Sequence, residues 1–192
     1  MDFYPEARIQ NWIKKIEESE VSVEYPNSLS VFDQMLEDTI IACFGILNAV
    51  KDREIKKDDA LKELEKILSY FGKDYNFKSD IKTQMFIITS EAVRAVVESF
   101  KYYFEGKTSK KSIHELIKEA IEREKEKKLD SALDAIARIG VRVIKGETLP
   151  EMNLPEDSLI ISWLDGIDAI SMVVELSKID TSKETQEDED SE

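Results

Sequence analysis

A chain of 192 residues fits one domain, or one domain with a tail, and is long enough to bury a core. Hydrophobic residues make up 42% of it and charged residues 35%, a balance that suits a folded chain with a charged surface and excludes a wholly disordered one. The formal net charge of −14 argues against a general binder of nucleic acid or anionic membrane, because the long-range field repels phosphate.

Apolar periodicity and capping signals predict seven helices. The first runs from about Pro5 to Ser19, with proline at a permitted first-turn position and Ile9, Trp12, Ile13 and Ile16 along one face. Pro26-Asn27-Ser28 resets the chain before a second helix from about Ser30 to Asp52. The short polar link Asp52-Arg53-Glu54 leads to a third, Lys57 to Phe71, whose stripe of Ala60, Leu61, Leu64, Ile67, Leu68 and Phe71 is closed by Gly72. A fourth, from about Ser79 to Glu105, ends at Gly106, and a fifth, from about Ser112 to Lys127, presents Ile113, Leu116, Ile117, Ala120 and Ile121. The sixth covers about Asp130 to Lys145, and after a loop containing Pro150 and Pro155 the last covers Glu156 to Ile179.

Thr39 to Val50, Met85 to Val97 and Leu159 to Val174 are apolar around most of their circumference, so helices two, four and seven should form the centre. Helices one, three and five carry one apolar stripe each and should cover it. Residues 179–192 hold seven acids against Lys183, a net −6 that leaves −8 on the rest of the chain. From Ser182 onward there is no apolar residue to bury, so this segment should be a disordered solubility tail, or a docking segment for a basic protein partner. The expected fold is thus an all-α bundle of about seven helices, with residues 1–179 as a single domain and 180–192 as a disordered acidic tail.

Met1-Asp2-Phe3-Tyr4-Pro5-Glu6 has neither a basic region nor an apolar core of a signal sequence, and no run reaches the roughly 18 apolar residues of a spanning helix. A cytoplasmic location without membrane contact follows as an expectation. Cys43, the single cysteine, lies in an apolar run where a thiol acts as a small hydrophobe.

Several mechanisms are short of residues. His114 is the only histidine and lies on the charged face of helix five, so Ser–His and Cys–His pairs have one poor candidate and Cys/His zinc sites have too few ligands. Six dispersed glycines form no phosphate loop. What remains is carboxylates in apolar company: Glu37 and Asp38 on helix two, Glu91 beside Arg94 on helix four, and Asp165 and Asp168 on helix seven. Converging, Asp38, Glu91, Asp165 and Asp168 could hold Mg²⁺, as in the all-helical nucleotide pyrophosphohydrolases. Those enzymes carry paired Glu-x-x-Glu motifs, which the adjacent Glu37-Asp38 does not match. Separate solvated stripes and an ion pair of Glu91 with Arg94 are the plainer reading, and convergence is not expected.

A basic segment holds Lys107, Lys110, Lys111 and Lys118 among others, preceded by Tyr102, Tyr103 and Phe104, a composition able to stack on and clamp single-stranded RNA. Glutamates interleaved at helical spacing make a solvated face the simpler account, so nucleic-acid binding is not expected.

Phe3-Tyr4-Pro5-Glu6, Asn11-Trp12-Ile13, Leu36-Glu37-Asp38 at the entry to an apolar helix, and Ala60-Leu61-Lys62-Glu63-Leu64 together resemble an archaeal family of uncharacterised proteins of about this length. The resemblance implies an archaeal cytoplasmic protein and carries over no catalytic or binding residue. The sequence reading is therefore a non-enzymatic interaction or regulatory module without a cofactor, self-associating as a homodimer. Leu159 and Trp163 on helix seven are the expected seam, with Trp163 in the core of one chain as the competing placement. A divalent-metal nucleotide hydrolase, the one case needing Mg²⁺, and an RNA- or ribosome-associated factor are the alternatives.

Overall fold

The computed structural model describes residues 2–150, 154 and 158–189, with the side chains of the last helix described through Leu176. It is all-helical: α1 (Glu6–Glu18), a 3-10 turn (Pro26–Leu29), α2 (Ser30–Lys51), α3 (Lys57–Phe71), α4 (Asp80–Glu105), α5 (Ile113–Lys125), α6 (Leu129–Ile144) and α7 (Leu159–Glu189). Among the described residues there is no strand, and no helix is long and apolar enough to cross a membrane.

Two of the boundaries have a clear local cause. Ser112 and Glu115 form a capping box at the start of α5: Glu115 N–H donates to Ser112 Oγ at 3.2 Å and Ser112 N–H to Glu115 Oε2 at 2.7 Å. The Ser112 N–H and hydroxyl, both donating to Glu115 Oε2, hold that carboxyl below its ordinary range. Gly106 closes α4 with φ at 72°, where a residue bearing a Cβ is strained.

α4 is the hub and packs against α2, α3, α6 and α7. Val93, Val96, Val97 and Phe100 are buried on it without exposure. α3 crosses it antiparallel, with Phe71 stacked on Phe86 at 6.2 Å and Lys101 facing Glu65. The expected centre of helices two, four and seven omits α6, which buries Ala132, Ala135, Ile136, Ile139 and Gly140 against its neighbours. Its small residues permit close packing. A Cβ on Gly140 would collide with Ser99, and one on Gly166 of α7 would sit 2.5 Å from the Ala92 carbonyl oxygen of α4. Cys43 is fully buried in this core, and burial pushes its thiol up.

The expected start of α7 at Glu156 lies outside the described residues, and the helix runs ten residues past Ile179 into the segment expected to be a disordered tail. Glu184, Gln186, Glu187 and Glu189 are good helix formers, which favours that continuation. Residues 190–192 lie outside the described residues.

Candidate functional site

The carboxylates singled out in the sequence fall in three separate places. Asp38 faces α1, where its oxygens accept from Arg8 Nε at 2.8 Å, Arg8 Nη2 at 2.5 Å and Trp12 Nε1 at 2.8 Å. The fork of Arg8 on Asp38, with a further donation to the Phe3 carbonyl, clamps α1 across α2 and raises the Arg8 pKa. Tyr4 is buried beside this clamp against Phe71 and Thr39, and burial pushes its hydroxyl up to about 12. Asp38 is thus fully engaged in holding two helices together.

Glu91 lies elsewhere, accepting from Trp163 Nε1 at 2.8 Å with Arg94 at 3.8 Å. A buried indole N–H needs an acceptor, and Glu91 supplies it from α4. Trp163 itself is 0% exposed within one chain. The interface role expected for it gives way to the competing placement, because a ring already enclosed by its own chain has no face to offer a second copy. Leu159 is half-buried at the start of α7, its N–H donating at 2.7 Å to Glu124 of α5, which also accepts from the Ser158 hydroxyl at 2.6 Å. A carboxylate from a neighbouring helix thereby caps α7 and suits the positive end of its dipole.

Asp165 and Asp168 open onto a groove of about 470 Å³ between α2 and α7, whose other acids are Asp33 and Glu37. Leu36, Ala169 and Met172 complete its lining. The acids from α2 in this groove are Asp33 and Glu37, and Asp38 is not among them. Successive helical residues point about 100° apart, so Asp38 turns to α1 while Glu37, four residues after Asp33, turns to α7. Asp165 reaches solvent, yet the protein crowded around it pushes its carboxyl up, with Asp168 and Asp33 adding to the effect. None of these four carboxylates makes an ion pair or a side-chain hydrogen bond among the described residues. No group of three or more His, Cys, Asp or Glu among the described residues is arranged to hold a metal ion.

A family model covers residues 2–183, nearly the whole chain. The chain belongs to an archaeal family described as uncharacterized proteins (DUF2150). No curated protein and no solved structure matches it. The motifs that resemble this family meet at the α1 clamp: Phe3 N–H donates to Glu63 at 3.4 Å, Tyr4 is buried, and Trp12 binds Asp38. In this chain these contacts tie the N-terminal residues to α2 and α3 at one corner, and none of them points to a reacting group.

The basic segment is interleaved with its own counter-charges. Lys107 pairs with Glu105 at 2.7 Å and lies 4.4 Å from the centre of the Tyr102 ring, and Lys111 pairs with Glu119 at 2.7 Å. Lys110 and Lys118 are exposed, Lys118 in a depression that also holds Glu115, Glu119 and Glu122. Tyr102 donates to Asp134 at 2.7 Å and Phe104 is buried, so these aromatics support the fold of α4 against α6. Sequence reading missed Asp33, Glu37 and Met172 as groove residues. The signal was present as two lines at helical spacing, Asp33-Glu37-Ile41 on α2 and Asp165-Ala169-Met172-Leu176 on α7.

Proposed function

We propose that this protein is a non-enzymatic interaction module whose docking face is built by α2 and α7. One observation carries the reading: Met172 and Leu176, 57% and 55% exposed, follow a groove whose four carboxylates have no cationic partner among the described residues. Large apolar side chains one turn apart on a helix lose about 25 cal/mol for each Å² they keep in water, and contiguous ones mark binding faces. Asp38 and Asp134, by contrast, are paired with Arg8 and Arg138.

Self-association is one form of this reading. A Mg²⁺-dependent nucleotide hydrolase is the alternative, and it would use the same four groove acids. Light scattering on the protein isolated natively from archaeal cells separates them. The expected mass exceeds the 22.1 kDa of one chain, reaching twice that value for a homodimer, and falls to 22.1 kDa for Met172→Glu with Leu176→Glu at unchanged helical circular dichroism. A wild-type mass of 22.1 kDa contradicts the reading. Mg²⁺-dependent hydrolysis of nucleoside triphosphates, abolished by Asp165→Asn with Asp168→Asn, overturns it in favour of the hydrolase.

A further inference from the structure

We infer that the α2/α7 face takes a cationic amphipathic helix of another protein, an inference that rests on the interaction reading above and names its partner class. The argument begins with the order of residues along the two lines. On α7, Asp165 and Asp168 come first, Ala169 follows, and the exposed Met172 and Leu176 complete the line. On α2, Asp33 and Glu37 are followed one turn later by Ile41, 53% exposed. Both helices therefore offer acids first and large apolar side chains after them. The line from Asp165 to Leu176 spans twelve residues, about 16 Å of helix, or three turns.

Charge selects the occupant. Asp33, Glu37, Asp165 and Asp168 face one another with no cation among the described residues, and the Asp165 carboxyl is raised by burial, with Asp168 and Asp33 adding to it. A second copy placed on this face by a two-fold axis sets the same acids against themselves. The lysines of another copy's α5 segment are flanked by their own glutamates, as in Lys111 with Glu119. Nucleic acid and anionic lipid are repelled. A bare metal ion finds no set of three ligands arranged for it among the described residues.

What fits is a helix with lysine or arginine at one end of its buried stripe and leucine-like residues along the rest. Its cations meet the acids while its apolar residues cover Met172, Leu176 and Ile41, the helix-in-groove mode of recognition. Methionine, flexible and polarizable, suits a surface that closes over another helix. The acids give direction as well as attraction, because the reversed helix would place its cations over Met172 and Leu176.

The test uses the full chain and a fluorescent helical peptide with leucine on one face and lysine confined to one end of it, followed by anisotropy at physiological salt. Micromolar binding is expected, weakened at least tenfold by Asp165→Asn with Asp168→Asn and at least tenfold by Met172→Ser with Leu176→Ser. Glu187→Gln with Asp188→Asn removes as much charge from the C-terminal segment and should change affinity less than twofold. A peptide with glutamate replacing lysine should not bind. Equal losses from the groove and C-terminal variants would reduce the effect to general acidity and overturn the inference. Absence of peptide binding, with a native complex still dissociated by Met172→Glu and Leu176→Glu, would also overturn it while leaving the interaction reading intact.

Discussion

Two neighbouring residues on one helix, Glu37 and Asp38, face opposite electrostatic worlds. Asp38 receives three donors from Arg8 and Trp12 and joins α1 to α2. Glu37 faces a groove shared with Asp33, Asp165 and Asp168, with no donor to receive among the described residues. Position in the sequence says little about which acid holds the fold together. The neighbour that each side of the helix meets decides it, and the comparison separates carboxylates paired within the chain from carboxylates without a cationic partner among the described residues.

The largest effect should come from the enclosed side of α7. Trp163→Ala removes a fully buried ring and leaves Glu91 without its indole donor, so a loss of about 3–5 kcal/mol is expected in urea denaturation. A variant that keeps its midpoint would place Trp163 on an accessible face. Asp38→Asn comes next: it removes the ion pair with Arg8 and should lower stability by about 2 kcal/mol, or roughly 4–8 °C in Tm for a chain of this size. Gly166→Ala sharpens the contrast between the two sides of α7, because the added carbon meets the Ala92 carbonyl and should cost about 1–3 kcal/mol. On the open side, Met172→Ser should change the unfolding free energy by no more than about 0.5 kcal/mol, since it removes little buried contact within the chain.

Much of the fold was legible from period and punctuation. Gly106 stops α4 in the left-handed conformation that only glycine adopts without strain, and the stripe of Ile9 and Ile16 lies buried on α1 as its spacing requires. α6 was left out of the expected centre, although the small size of Ala132, Ala135 and Gly140 is what brings helices together there. The candidate site was half legible. Asp165 and Asp168 were visible as isolated charges in an apolar helix, but their companions Asp33 and Glu37 come from a helix more than a hundred residues away, and no local pattern reports that pairing. Trp163 looked equally suited to an interface or a core, and the choice depended on where α4 places Glu91.

The claim that groove acids are held for a partner, at some cost to the fold, is tested most directly by thermal melting of Asp165→Asn with Asp168→Asn across pH. Burial and like charge raise the Asp165 carboxyl in the folded chain, so that state binds the proton more tightly than the unfolded chain does. Ionised Asp165 therefore destabilises the fold above its folded pKa, and this penalty fades as falling pH protonates the group. The account predicts that the double variant melts at or above the wild-type temperature at pH 7, with the difference shrinking as pH falls through the range where Asp165 takes up its proton. A loss at pH 7 comparable to that of Asp38→Asn would contradict it and make the groove acids part of the scaffold.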